Sequence, residues 1–280
     1  MRTLVRRDGV ELTDVACRHP RGRGHAEEQT NCHTIVFVRR GCFVRSADGV
    51  ESVLDPTVAY CMNTGAEQRY DHPGDGGDDC TSLVLHADLL ASLWGGEQQL
   101  PSRPLHTSPE IDLEHRLLLS AARSGADSHE LVERALVLAA GTLEQSDPRP
   151  VACGRPTTTR ARRAAADGAR EILAGNPERS LPELAHELAV SPHHLSRVFR
   201  SAIGHTISRH RMRLRARAAL ERLAGGDDDL ARLASEIGFA DQSHLCRVIR
   251  QETGSTPAVL RDALIRDRLD LPRSAEALLK

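Results

Sequence analysis

Two arginines three positions apart occur twice in the C-terminal part of the chain, as Arg197 and Arg200 and again as Arg247 and Arg250. Serine and histidine stand just before each pair: His193 and Ser196 in the first stretch, Ser243 and His244 in the second. A guanidinium is a rigid fork of donors that pairs two-pronged with guanine O6 and N7 or with a phosphate, whereas serine and histidine make shorter, less selective contacts. A second set of reactive side chains is scattered through the first half of the chain. There Cys17, His72 and Cys80 could converge on a soft-metal or redox site, with His19, His25, Cys32 and His33 as spares. The same residues also read as packed thiols and surface histidines.

The elements that must hold the arginines are legible as a duplication. "LPELAHELAVSPHHLSRVFRSAIGHT" matches "LARLASEIGFADQSHLCRVIRQETGST", with one extra residue in the second copy at the turn. Leu181, Leu184, Ala185 and Leu188 correspond to Leu230, Leu233, Ala234 and Ile237. Leu195, Arg197, Val198, Arg200 and Gly204 correspond to Leu245, Arg247, Val248, Arg250 and Gly254. Each copy therefore predicts a short helix, a tight turn plugged by Val190 or Phe239, and a second helix. Ser191 and Asp241 can cap that second helix, with Pro192 tolerated in its first turn, and Gly204 and Gly254 sit where it would stop. This is a helix-turn-helix pattern, whose second helix is normally laid in the DNA major groove. The connector between the copies, "TISRHRMRLRARAALERLAG", has helical character. Roughly twenty residues at 1.5 Å each span about 30 Å, close to the ~34 Å between successive major-groove faces on one side of B-DNA. One chain could thus present two recognition helices to adjacent grooves. Arginines at 209, 211, 213, 215 and 217 surround the connector. At alternate positions they cannot share one helical face, so some can meet phosphate while others are expected to be solvated.

The segment from about Ala165 to Asp262 resembles the DNA-binding domain of the AraC/XylS family of bacterial transcription regulators. The second copy carries that signature in order: Gly238-Phe239, Asp241, Ser243-His244-Leu245, Arg247, Gly254, Thr256-Pro257 and Arg261. Ile249 stands where phenylalanine is commoner and Leu260 where tyrosine is usual, apolar for apolar in both cases. The resemblance implies a sequence-specific regulator with His193, Ser196, Arg197, Ser243, His244 and Arg247 towards the bases. Arg200 and Arg250, one turn further on, would hold phosphate. The same arginines can instead bond within the domain, His193 and His244 can pack at the helix start, and Ser243 can serve as a cap. Implied partners are double-stranded promoter DNA, RNA polymerase, a small-molecule effector and a second copy of the chain.

Ahead of this lies a different texture. "HTIVFVRRG", "CFVRSADGV", "ESVLDPTVAYCM" and "CTSLVLHA" read as short strands parted by Gly, Asp-Gly and Asp-Pro turns, a pattern of small sandwiches and barrels. From His86 the spacing becomes helical, with a pair over 109–122 and 127–145 in which Asp127 or Ser128 can cap the second member. Such a β-region resembles the cupin-like sensor domain of the same family. It lacks an H-x-H followed by Glu, so a cupin catalyst is poorly supported, and a bound metal is at most an option for the N-terminal domain. Seven cysteines without a C-x-x-C pair argue against a disulfide framework and a zinc ribbon, and their dispersal argues against a four-cysteine alkyl-accepting zinc site. The chain is not expected to be an enzyme.

The expectation is an α+β chain of two domains. A cupin-like sensor or dimerisation domain with its following helices covers 1–150, the Pro- and Gly-rich stretch at 151–160 is a linker, and an all-α domain covers 161–268. The latter holds helix-turn-helix units at about 181–201 and 230–251, joined by a linker helix. Charge divides the same way: residues 1–159 hold 16 arginines against 23 acids, net −7, and residues 160–273 hold 20 against 15, net +5. A basic module attached to an acidic one suits a nucleic-acid binder with a separate sensing part. No run of about 18 apolar residues suggests a membrane span, and no apolar stretch follows the N-terminal charges to make a secretory signal, so a cytoplasmic location is expected.

Overall fold

The computed structural model describes residues 1–18, 28–72, 77–93, 99–145 and 156–266. Among the described residues the chain forms ten strands, all paired antiparallel. In chain order they are β1 (Arg2–Arg7), β2 (Val10–Cys17), β3 (Glu28–Gln29), β4 (His33–Arg40), β5 (Phe43–Ala47), β6 (Val50–Leu54), β7 (Val58–Met62), β8 (Glu67–Asp71), β9 (Asp78–Leu85) and β10 (Leu105–His106). They form a six-stranded sheet of order β1-β2-β9-β4-β7-β10 and a four-stranded sheet of order β3-β8-β5-β6. The sequence pattern did not foretell β1, β2, β3, β8 or β10: charged and hydroxyl residues interrupt β1, β2 and β8, and β3 and β10 are only two residues long.

β4 lies inside the large sheet and is buried on both faces, which is why it carries the unbroken apolar run "IVFV". Its alternation separates two cores. Ile35 and Phe37 join Leu12, Leu83 and Leu85 under the helices α1 (Ala87–Leu93), α2 (Pro109–Ser124) and α3 (Ser128–Glu144). Val36 and Val38 point the other way, where they meet Phe43, Leu54, Tyr60 and Cys80 between the sheets. α2 starts at Ser108, whose hydroxyl accepts from Ile111 N, and stops at Gly125 in the left-handed region, φ 81°. Asp127 caps α3.

The rest is helical: α4 (Pro156–Gly175), α5 (Leu181–Glu187), α6 (Pro192–Ile203), α7 (Ile207–Ala224), α8 (Leu230–Ile237), α9 (Gln242–Thr253) and α10 (Pro257–Arg266). The architecture is an N-terminal antiparallel-sheet domain followed by a C-terminal helical domain. Half of the expected linker, residues 151–155, lies outside the described residues, as do His19 and His25; the other half, 156–160, is already the start of α4. Among the described residues no helix is long and apolar enough to cross a membrane.

Candidate nucleic-acid interface

Each repeated unit is built by its caps. Ser180 and Glu183 form a reciprocal capping box at the start of α5. The Ser191 hydroxyl accepts from His194 N at 3.2 Å and the Asp241 carboxylate from His244 N at 2.7 Å, so α6 and α9 begin where the pattern places them. Gly204 and Gly254 end them at φ 86° and 75°. Between the two helices of each unit the chain must turn through the left-handed region. Gly238 does so at φ 83° and Ala189 at φ 51°.

Leu195, Val198 and Phe199 are buried on one face of α6, and Leu245, Val248 and Ile249 on the same face of α9. On the opposite faces His193, Ser196, Arg197, Arg200, Ser243, Arg247 and Arg250 are all exposed. The α6 residues, with Ser201, line an open concavity of about 430 Å³. His244 differs from the other seven. It is half-buried, its ring stands edge-on to Phe239 at 5.4 Å, and its Nδ1 accepts from Ala240 N at 3.4 Å. Packing at the helix start therefore describes His244 better than a free reading position.

Residues 184–263 match the family model of a helix-turn-helix domain. The C-terminal part of the chain holds a helix-turn-helix domain. ToxT from Vibrio cholerae O395 is similar to the chain at 11% identity and TM-score 0.36, over 91% of this chain and 98% of that one. Unsaturated fatty acid-bound ToxT from V. cholerae strain SCE256 gives 12% and 0.34, over 90% and 94%. An AraC-type regulator from Chromobacterium violaceum gives 21% and 0.36, over 38% and 96%. No curated protein matches the chain.

The connector arginines depart from expectation. α7, 18 residues and about 27 Å long, joins the two helix-turn-helix units, yet most of its guanidiniums are turned inward onto the protein. Arg213 and Arg217 both donate to the Thr107 carbonyl, at 2.6 and 2.7 Å, and Arg217 also donates to the Pro56 carbonyl. Arg215 pairs with Glu178, Arg211 donates to the Arg179 carbonyl, and the half-exposed Arg209 reaches Glu252 at 2.7 Å. Burial, opposed by the charge of Asp112, lowers the Arg217 pKa to about 10, so it remains a cation at neutral pH. The helix is consumed by structure because Thr107 and Pro56 belong to the sheet domain that α7 packs on.

A buried carboxylate completes this junction. Asp55, in the turn between β6 and β7, is fully buried. It lies 2.9 Å from Arg170 of α4 and 3.5 Å from His210 of α7, and it accepts from Thr57 N and Oγ1 at 2.7 and 2.6 Å. Burial pushes its carboxyl up, but Arg170, His210 and Thr57 together hold it well below the usual range. A third bond set joins Arg39 of β4 and Arg116 of α2 to Glu221 of α7. Sequence reasoning missed Asp55, Arg170, His210 and Glu221. Their partners across the junction lie 105 to 182 residues away, and no local spacing signals such pairs.

In the sheet domain, Cys17, His72 and Asp78 place their ligand-type atoms within 4.8 Å of one another. Cys80 stands one step outside, its thiol 3.2 Å from Asp78 Oδ2. Asp78 thus occupies the place that the sequence reading gave to Cys80. His33 is elsewhere, bonded to Asn63 at 3.2 Å.

Proposed function

We propose that the protein is a sequence-specific DNA-binding transcription regulator in which α6 and α9 enter two adjacent major grooves of one duplex. The observation carrying this reading is the shared polarity of the two helices: each buries an equivalent leucine and valine while exposing equivalent arginines. His193, Ser196, Arg197, Ser243 and Arg247 read base edges, Arg200 and Arg250 hold phosphate, and His244 supports its helix from the Phe239 side. The functional division follows the residue ranges 1–150 for sensing or dimerisation, 151–160 for the linker and 161–268 for DNA. RNA polymerase, a small-molecule effector and a second copy of the chain are the further partners this role calls for.

Footprinting of the full chain on a promoter selected from genomic DNA tests it. One protomer protects two segments about one helical turn apart, with affinity falling steeply as salt rises. Arg197→Ala or Arg247→Ala costs about 1–3 kcal/mol and relaxes preference at one base position. Arg200→Ala or Arg250→Ala weakens all sequences alike and reduces the salt slope by about one. Equal affinity for selected and random DNA at physiological salt would end the proposal.

A further inference from the structure

We propose that Cys17, His72 and Asp78 bind one borderline-soft divalent cation of the zinc class between the two sheets, with Cys80 steadying the carboxylate. The three residues come from separate parts of the chain, yet their Sγ, imidazole nitrogen and carboxylate oxygen fall within 4.8 Å of one another. A tetrahedral ion at about 2.0–2.3 Å from its ligands holds them roughly 3.3–3.8 Å apart, so closure asks for about an ångström of approach. His72 and Asp78 are 7% and 5% exposed, a depth at which carboxylates are held by hydrogen bonds, cations or metal.

The backbone sets the cluster. Cys17 is directly opposite Asp78 in the β2–β9 ladder, so the two side chains share a face, and Cys80 follows two residues on along that face. Two glycines fix the approach. A Cβ on Gly77, φ 62°, would lie 2.1 Å from the Cys17 carbonyl oxygen, and one on Gly41 would lie 2.5 Å from the Gly77 carbonyl oxygen. The strand ends are thus packed more closely than any side chain allows. From the other sheet the His72 ring is laid on Phe43, centroids 5.6 Å apart and tilted 31°, with its Nε2 2.7 Å from Asp78 Oδ1.

The donor set selects the ion. Thiolate, imidazole and carboxylate together suit zinc-class cations, whereas calcium and magnesium demand six or more oxygens. Three ligands leave one tetrahedral position for solvent. On binding, the Cys17 thiol passes its proton to the buffer as the sulfur–metal bond forms. A Cys17–Cys80 disulfide fits less well, because diagonal neighbours in a ladder stand about 7–8 Å apart, at or beyond the disulfide span.

The test uses the full chain, reduced and stripped with chelator, titrated with Zn²⁺ against a chromophoric competitor and with Co²⁺ for its thiolate charge-transfer band. One equivalent of each ion binds, and Cys17→Ser abolishes the cobalt band. His72→Ala and Asp78→Asn weaken zinc at least 100-fold, and Cys80→Ser, one shell out, weakens it about 10–100-fold. Cys246→Ser and Cys32→Ser behave as the parent chain. Should His72→Ala fail to fold, the near-isosteric and partly exposed Cys17→Ser decides alone. Substoichiometric binding, or a full equivalent that survives Cys17→Ser, overturns the site. Neither result bears on the DNA reading, which footprinting tests separately.

Discussion

The two helix-turn-helix units share a design but not their surroundings. Unit one packs on α4, where Ala166, Ala169 and Leu173 meet Leu184, Leu195 and Phe199. Unit two packs on α10 and on α2 of the sheet domain, which sends Leu117 into the same core as Leu233, Leu245 and Leu260. Ser120 of α2 also donates to the Leu264 carbonyl. Unit one is tied to the sheet domain by a buried charge, through Arg170 and Asp55, whereas unit two is tied by apolar packing. A repeated sequence therefore sits in two mechanical settings, and a change in the sheet domain can reach each unit by a different route.

Removing the charge is the largest break. Asp55→Ala leaves the buried Arg170 with Asp167, at 3.4 Å, as its remaining carboxylate and is expected to cost about 3–5 kcal/mol, read by denaturant unfolding. Amide exchange should rise first in α4 and α5; an equal rise in α9 would show that the units are not separately tethered. Acid acts on the same contact. The folded carboxyl is held well below its unfolded value of about 3.9, so its stabilisation is complete above that pH and is lost as pH falls from there through the lower folded value. An Asp55→Asn chain should show a shallower fall in Tm there, and an unchanged fall would refute the assignment.

The apolar tether comes next. Leu117→Ala is expected to cost about 2–5 kcal/mol and to loosen α8 and α9 before α5 and α6. The turn residues should differ in sign. Gly238→Ala puts a Cβ 1.9 Å from Glu178 Oε1 in the left-handed region and should destabilise by about 1–3 kcal/mol. Ala189→Gly relieves the same backbone conformation and should change stability least, a gain below about 1 kcal/mol. A loss on Ala189→Gly would mean that its methyl packing outweighs the strain.

His115 sharpens a further contrast, between core and junction. Burial pushes its pKa down to about 3, below the unfolded value near 6.5, so acid weakens the fold across that interval. His115→Leu should flatten the stability profile between those pH values while leaving the Asp55 step below it.

Much of the helical domain was legible because its signals are local. Caps at Ser191 and Asp241, glycines at 204 and 254, and apolar residues at helical spacing each act within one turn. Strands β4, β5, β6, β7 and β9 were legible for the same reason. What escaped was either half polar, as in β1, or long-range, as in the pairing of Asp55 with Arg170. The connector misled because alternate arginines look solvated when nothing shows that backbone carbonyls lie beside them. Asp78 was nearer to hand: two residues before Cys80 in a strand, it must share that thiol's face.

The acceptors at Thr107 and Pro56 are main-chain oxygens, and every residue type carries one. Substitution at those two positions leaves the acceptor in place as long as the turn keeps its path. The arginines have no such freedom, since lysine lacks the fork that lets Arg217 reach two carbonyls at once. Over evolutionary time the receiving surface can change its side chains while the helix that grips it stays fixed. One helix-turn-helix module could in this way be inherited beneath many different sheet domains.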